Sequence, residues 1–375
     1  MTVLMLVWTG VAEDTRVLRE ATALVGAGHD VHIIGRAVPA GFEPPPGIRV
    51  TSIGRPPLAQ DRRRRLTTAE RAVRWLLLPD HVARRLGQWQ QAALEEARRC
   101  PADVVHAHDF SALPVGVAAA EHLGVPLVYD SHELWTGRPR EGRPAPLRHR
   151  AARRLERSLG GRAAAVLTVG EGVAAALRDT YGWPHVHVVR NSFPRRDLPP
   201  PAASPRGLVY AGRLGAYREL EVVARASSRL HLPVTLVGPG DKSWLAGFDP
   251  GRAVVHPAEP LHRVDERLVG AGLALVTHSD RWPNHRLALP NKLFHAVSLG
   301  VPVVATDVGE LAAVVRRHAL GTVYPPGDVA GLAAAVEAAV ATYGDLTAAV
   351  RRAVPDLSWE HDERVLLDVY RRLLP

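Results

Sequence analysis

Cysteine is nearly missing from this 375-residue sequence: Cys100 stands alone. That excludes an intramolecular disulfide and the paired thiolates of a zinc finger, an iron–sulfur cluster or a redox CxxC site. Lysine is almost as scarce, since of 47 basic residues only Lys242 and Lys292 are lysine and the other 45 are arginine. Such a bias points to an arginine-favouring genome, in which many arginines carry little functional information. Long apolar runs are also missing, with no stretch of about 18 consecutive apolar residues that would suit a membrane span. The apolar start Thr2 to Trp8 has no basic leader and no small-residue cleavage site. A cytoplasmic location is expected, with peripheral contact with an acidic membrane surface left open. What the sequence does hold is 46% hydrophobic and 23% charged residues over a length sufficient for two domains with full cores. Its 47 basic against 38 acidic residues give a formal charge of +9. That sign favours anionic ligands: phosphorylated small molecules, acidic lipid or nucleic acid.

The first half repeats one pattern, a short Val/Ile/Leu run, a polar or glycine-containing turn, then a segment of helical spacing. The runs are Val3 to Trp8, Val31 to Gly35, Val104 to His106, Leu127 to Asp130 and Val166 to Val169. Continuous apolar runs suit strands covered on both faces. Asp14 is placed to cap a helix whose Val17, Leu18, Ala21, Leu24 and Val25 share a face, with Gly26 and Gly28 ending it. Alternation of this kind predicts a parallel sheet with crossover helices, whose ligands sit beyond the carboxyl ends of the strands. Between Asn191 and Arg206 the proline-dense SFPRRDLPPPAASP forbids helix interior and reads as a linker. The pattern then restarts with strands at Leu208 to Ala211, Val234 to Val237, Leu273 to Val276, Val303 to Ala305 and Thr322 to Tyr324. Helices are predicted at 219–229, 291–299, 309–317 and 328–343. Ser358 is placed to cap a last helix with Glu360 and Asp362 in its first turn, Arg371 and Arg372 in its last, and Leu366, Val369, Tyr370 and Leu373 facing a core. The expected fold class is α/β, two doubly wound halves with parallel sheets. Their bounds are 1–192, a linker at 193–206, 207–355, and a C-terminal crossover helix at 356–375.

Two basic stretches interrupt the first half. Asp61 to Arg85 holds 8 Arg against 3 acids, including the run Arg62 to Arg65, and Arg138 to Arg157 holds 8 Arg against 2 acids. They read either as solvated helix faces or as a basic rim for an anionic acceptor or an acidic lipid surface. No nucleic-acid partner is expected, because neither a recognised motif nor aromatic interleaving accompanies the charge.

The second half carries the sharpest constellation. In VYAGRLGAYRELEVV the strand Leu208 to Ala211 delivers Gly212 and Arg213 to a turn, and Arg218 opens a helix. Guanidiniums bind phosphate oxygens in bidentate fashion, while Gly212 and Gly215 allow close backbone approach. In LALPNKLFHAVSLGVPVVATDVGEL, Pro290 suits a first helical position. Leu293, Phe294 and Val297 form an apolar stripe that leaves Asn291, His295 and Ser298 on another face. A helix start bearing free amides, Asn291 and the cation Lys292 is a reasonable anion site. In the segment HAHD, His106 and His108 alternate to one side of a strand and Asp109 follows, a superficial likeness to metal ligands that would need further ligands from elsewhere.

These stretches resemble the retaining glycosyltransferases of sequence family 4, which have the GT-B fold of two facing Rossmann-like domains. The resemblance extends over nearly the whole chain. It includes residues 8–36, 103–135 with its VYDSHELW end, 166–182, VHVVRNSF (186–193), YAGRLGAYREL, LVGPGD (236–241), the LPNK segment and the closing SWEHDERVLLDVYRRL. The resemblance implies that Arg213 and Arg218 grip the donor diphosphate, assisted by Gly212, Gly238, Asn291, Lys292 and His295. It places His132 beside the transferred sugar and the acceptor, and Gly10 beneath the donor diphosphate and the acceptor. It sets the strand end with His108, Asp109 and Glu133 on the acceptor side, with Asp109 or Glu133 able to orient His132. It implies a metal-independent site, so no metal and no cofactor are expected besides the nucleotide-diphosphate sugar itself.

The sequence departs from that family in two places. The second basic residue, often Lys followed by Gly, is here Arg218 followed by Glu219. Two glutamates separated by seven residues in many members are Leu287 and His295 here, and a neutral histidine cannot supply two carboxylate acceptors. The expected activity is retaining transfer of a sugar to an acceptor hydroxyl on a small molecule, glycan or lipid. One rival is a nucleotide-sugar epimerase, which needs acid–base carboxylates in the cleft and finds no clear pair. The other is a catalytically weak or silent nucleotide-sugar-binding homologue, suggested by Leu287 and His295. A dehydrogenase is disfavoured by the missing GxGxxG after the first strand.

Overall fold

A computed structural model describes residues 1–36, 38–39, 41–54, 85–138 and 146–373. The run Arg62 to Arg65, and with it nearly all of the first basic stretch, lies outside the described residues, as do Arg140 and Arg143.

Two separate parallel sheets form. The first contains β1 (Thr2–Gly10), β2 (Asp30–Arg36), β3 (Ile48–Ile53), β4 (Val104–His108), β5 (Leu127–Ser131), β6 (Ala165–Thr168) and β7 (Val186–Val188), in the order β3-β2-β1-β4-β5-β6-β7. The second contains β8 (Gly207–Ala211), β9 (Val234–Val237), β10 (Val254–His256), β11 (Gly272–Val276), β12 (Val303–Thr306) and β13 (Gly321–Tyr324), in the order β10-β9-β8-β11-β12-β13. Both orders reverse direction beside their first strand, at β1/β4 and at β8/β11. Open parallel sheets bind ligands at that switch, beyond the carboxyl ends of the strands.

Each sheet is buried on both faces because successive side chains point to opposite sides. Along β1, Leu4 and Leu6 enter one apolar core while Val3, Met5 and Val7 enter the other. Along β8, Val209 faces one core and Leu208 and Tyr210 face the other. Three edge strands, β3, β7 and β10, were not expected from the sequence. They are short and partly exposed, so they lack the continuous apolar run that marks a central strand.

The C-terminal helix Trp359–Leu373 ties the halves together. Leu357 belongs to a core of the second sheet, whereas Trp359, Leu366, Val369 and Tyr370 belong to a core of the first. The chain therefore crosses between sheets at Ser358, whose bridge to Phe193 lies in the linker. Each such side chain, fully buried, contributes on the order of 1.5–3 kcal/mol. Asp362 is the polar anchor, 2.9 Å from Arg190 Nε and accepting a short hydrogen bond from Ser192. Among the described residues no single helix is long and apolar enough to cross a membrane.

The loop after β8 decides where the cations go. Gly212 has φ +152° and Gly238 has φ +150°, and a Cβ on Gly238 would sit 2.0 Å from the Gly212 carbonyl oxygen. Gly238 is thus required for two strand ends to approach. Arg218 stands between two non-glycine residues in the left-handed region, Tyr217 at φ 64° and Glu219 at φ 57°. Glutamate here adopts the conformation that glycine would take without strain. Its Oε2 accepts a hydrogen bond from Gly327 N at 2.7 Å, which offsets part of that cost. Glu219→Ala and Glu219→Gly both lose this bond, but only glycine relieves the backbone. The alanine variant should be the less stable by about 1 kcal/mol, read from urea midpoints. Equal midpoints would rule out strain at this turn.

Candidate active site

The helix Thr15–Gly26 begins with Asp14 accepting from Val17 N, as its capping position predicts. One turn in, Arg16 points into the protein rather than to solvent. Its Nε and Nη2 lie 2.7 and 2.8 Å from the two oxygens of Asp130 at the end of β5. Its Nη1 donates to Val189 O at 2.7 Å and lies 3.2 Å from Asn191 Oδ1. This bidentate pair is buried, and it holds the Asp130 carboxyl well below the ordinary range even though burial pushes it upward.

Asp130 in turn orients two histidines, His108 Nδ1 at 3.2 Å and His132 Nε2 at 3.0 Å. His132 also lies 3.4 Å, through Nδ1, from Asp109 Oδ2. Asp109 sits at φ 63°, a left-handed conformation that aspartate tolerates better than most residues. Burial disfavours charge on His132, but Asp109 and Asp130 together outweigh it and raise the ring's pKa to about 9. His132 is therefore an imidazolium at neutral pH. It is 19% exposed and lines an interdomain pocket with Thr9, Gly10, Asp14, Asn191 and Asn291. A Cβ on Gly10 would meet nothing within 4 Å, so this strand end is open to a ligand.

Behind this surface lies a fully buried polar layer. His106 stacks on His108 at 4.2 Å, Tyr370 OH from the C-terminal helix is 2.8 Å from His106 Nδ1, and Glu20 Oε2 is 3.8 Å from His106 Nε2. Glu20, His106, His108 and Asp130 offer ligand atoms within 4.8 Å of one another. Their two carboxylates are already arranged around a fixed cation, because Arg16 is 3.1 Å from Glu20 as well as paired with Asp130. Burial pushes the Glu20 carboxyl up to about 7 despite Arg16.

In the second domain Arg213 and Arg218 line one surface depression with Gly215. Arg218 Nη1 is 3.3 Å from His278 Nε2, and Lys292 Nζ lies 4.8 Å from the Tyr210 ring centre and 3.4 Å from its hydroxyl. Burial and then Arg218 lower the Lys292 pKa to about 7. Burial brings His278 down to about 3, with His285, Arg218 and Lys292 acting the same way. Among the described residues none of Arg213, Arg218 and Lys292 forms an ion pair.

Several expected residues are placed differently from the sequence reading. His108, expected on the acceptor side, is fully buried against Asp130 and lies behind the strand end instead of facing the cleft. Glu133 does not orient His132. It is ion-paired with Arg138, whose Nε lies 2.6 Å away, and across the domain boundary it accepts a hydrogen bond from Asn284 Nδ2 at 2.6 Å. His295 is not brought into the cation cluster: its Nε2 is 2.6 Å from Asp265, and its ring stacks on the linker residue Phe193 at 4.8 Å. It is buried together with the apolar stripe, because the linker covers the face that the helical spacing left polar. Leu287 packs against the core of the first domain. The sequence reading missed Arg16, Asp130, Glu20, His278 and Asn284. Asp130 had a visible signal, a lone acid ending an apolar strand two residues before His132.

Residues 12–192 match the "Glycosyl transferase 4-like domain" and residues 205–342 match "Glycosyl transferases group 1". Glycogen synthase of Mycobacterium tuberculosis is 27% identical over 93% of this chain and 88% of its own length. D-inositol 3-phosphate glycosyltransferase of Rhodococcus erythropolis is 24% identical over 95% of this chain and 85% of its own. The fold is shared with sucrose-phosphate synthase from Thermosynechococcus elongatus, at TM-score 0.71 and 18% identity over 100% of this chain and 99% of that one. It is shared also with Anabaena HepE, solved in complex with UDP, at TM-score 0.69 and 14% identity over 99% of this chain and 100% of that one. With two facing Rossmann-like domains, a crossing C-terminal helix and both halves matched in order, the chain belongs to the family 4/group 1 glycosyltransferases of GT-B fold, enzymes that use a nucleotide-sugar donor.

Proposed function

We propose that this enzyme holds the diphosphate of a UDP-sugar among Arg213, Arg218, Lys292 and the helix start at Asn291. It then transfers the sugar, with retention and without a metal, to an acceptor hydroxyl held against the first domain. The carrying observation is the unmatched positive charge at the second switch point, where two cations and two neutral histidines converge with no ion-paired carboxylate among the described residues. A desolvated lysine brought to a pKa of about 7 beside an arginine is costly unless an anion completes the site. HepE, of the same fold, is solved with UDP-glucose, which makes that sugar nucleotide the first donor to test.

Breaking the bond between the anomeric carbon and the phosphate oxygen leaves negative charge on the departing nucleotide. Preorganised cations lower the barrier where that charge develops. The acceptor hydroxyl oxygen attacks from the same face and its proton passes to the departing phosphate oxygen, so the products are the glycoside and UDP. His132 supports this route by being unfit as a base: it is already protonated at neutral pH, and both ring nitrogens face carboxylates. It acts as a fixed positive edge that positions sugar and acceptor.

Three measurements test this. Arg213→Ala combined with Arg218→Ala should reduce UDP-glucose affinity and turnover at least about a hundredfold, since each charge-assisted contact is worth about 1.5–3 kcal/mol. Circular dichroism should stay unchanged, and unaltered turnover refutes the assignment. The second concerns pH. Lys292 falls from 10.5 to about 7 in the free enzyme and rises again when a diphosphate binds, so binding above pH 7 takes up a proton. UDP-glucose affinity should be flat below about pH 7 and decline above it, and calorimetry at pH 8 in buffers of different ionisation enthalpy should register the uptake. Lys292→Arg should abolish that uptake. The third concerns His132, whose folded pKa of about 9 lies above the ordinary 6.5. Its contribution to stability is complete below about pH 6.5 and is lost as pH rises through about 9. Asp109→Asn should lower the ring's titration midpoint and narrow that window, followed by the imidazole carbon-bound proton signals in NMR.

A further inference from the structure

On the acceptor side, a second group of polar atoms lacks partners, away from the cations assigned to the donor. Arg36 ends β2, and its Cα is in register with Gly10, the open strand end of the cleft. Its guanidinium lies 4.3 Å above the Trp8 ring, and its Nε is buried with no hydrogen-bond partner. Trp89, 4% exposed, packs edge-on against the same Trp8 ring at 5.4 Å, and its indole N–H is also buried without an acceptor. Among the described residues, the charged neighbour that acts on Arg36 is another cation, Arg85, which disfavours the charge on Arg36 in addition to burial. Among the described residues no carboxylate pairs with Arg36 or Arg85.

Every unsatisfied group around Trp8 is therefore a donor. Tryptophan Nε1 can only donate, and a guanidinium has five donors and no acceptor. A buried donor without a partner costs about 1–3 kcal/mol, and two guanidiniums side by side add repulsion. The complement to such a group is a compact acceptor-rich anion. A carboxylate brings one charge and two oxygens, whereas a phosphate monoester brings close to two charges and three oxygens, enough for two guanidiniums and an indole N–H together.

We infer that Arg36, Arg85 and Trp89 form a phosphate subsite next to Gly10, and that the acceptor of this enzyme is a polyhydroxy compound carrying a phosphate group. This rests on the glycosyl-transfer reading only for the word acceptor; the anion subsite stands on its own donors. It gives the basic charge of the first domain a located role. The phosphate anchors one end of the acceptor at β2 and leaves a hydroxyl free to reach past Gly10 toward His132.

The test separates the two ideas. UDP is first titrated into the wild-type enzyme; absence of binding overturns the donor reading and leaves the subsite to be measured in the free enzyme. With UDP saturating the donor site, inorganic phosphate and then glucose 6-phosphate are titrated, followed by phosphorus NMR line broadening. Wild type should bind both. Arg36→Gln should weaken them about tenfold or more. Arg85→Gln, on an exposed helix position, and Trp89→Phe, which keeps the ring and removes only the N–H, should each weaken them several-fold. UDP affinity should stay unchanged in all three. Phosphate binding equal in wild type and Arg36→Gln, with UDP bound, overturns the inference. Sedimentation with vesicles of phosphatidylcholine and phosphatidic acid, whose headgroup is a phosphate monoester, distinguishes the source of the phosphate. Arg36-dependent pelleting identifies a lipid headgroup, and Arg36-dependent binding of the soluble phosphates alone identifies a soluble acceptor.

Discussion

The buried pair between Arg16 and Asp130 is the constraint on which the rest of the first domain depends. It joins the first turn of the helix Thr15–Gly26 to the end of β5, and through Val189 O it also fixes the exit of the chain from β7 into the linker. The same carboxylate holds His108 and His132. One guanidinium thus sets the helix position, the orientation of the cleft histidine and the path toward the second domain. A buried pair of this kind stabilises little in comparison with apolar packing. Removing one partner, however, leaves an uncompensated charge that costs about 3–5 kcal/mol. Its value lies in specifying a single geometry, and every member is tied to at least one other.

The domain interface follows from the same economy of polar groups. Asn284 reaches from the second domain to Glu133, which Arg138 holds in place from the other side. Glu310 accepts from the backbone N–H groups of Glu171 and Gly172, so a carboxylate of one domain satisfies orphan donors at a helix start of the other. Leu287, where many relatives by resemblance carry a carboxylate, is spent on apolar contact with the first domain. The pocket between the domains is left to Gly10, His132, Asn191 and Asn291, with Arg16 beneath them.

Much of this was legible in the residues. Continuous apolar runs located ten strands, all except β3, β7 and β10, because a strand buried on both faces must be apolar throughout. The edge strands β3, β7 and β10 escaped because exposure lets polar residues alternate with apolar ones. Arg213, Arg218 and Lys292 stood out by their places at strand and helix ends. His295 did not: helical spacing reports which positions share a face, and here that face meets the linker, which helical periodicity cannot register. Arg16 was hidden for a related reason. Among 45 arginines nothing local marks the one that is buried, since its partner Asp130 lies 114 residues away. The turn at Glu219 shows the opposite failure: the residue changed while the left-handed backbone was kept.

The two domains solve opposite electrostatic problems, and the division of labour follows from that difference. In the first domain, charge at the switch point is internally balanced. Arg16 meets Asp130 and Glu20, and the imidazolium of His132 meets Asp109 and Asp130. Such a site is rigid before any substrate arrives, which suits a surface that must hold a hydroxyl in line with a reacting carbon. In the second domain Arg218 and Lys292 converge with no counter-charge among the described residues, and the lysine loses its proton easily because it is buried and, in addition, lies beside Arg218. A site of this kind is incomplete until an anion enters, and the free energy released on completion is largest when the most charge is present. A departing diphosphate carries more charge than the diphosphate ester of the bound donor. On the proposed assignment, the unpaired domain favours the state in which the bond is breaking, while the paired domain keeps the acceptor still.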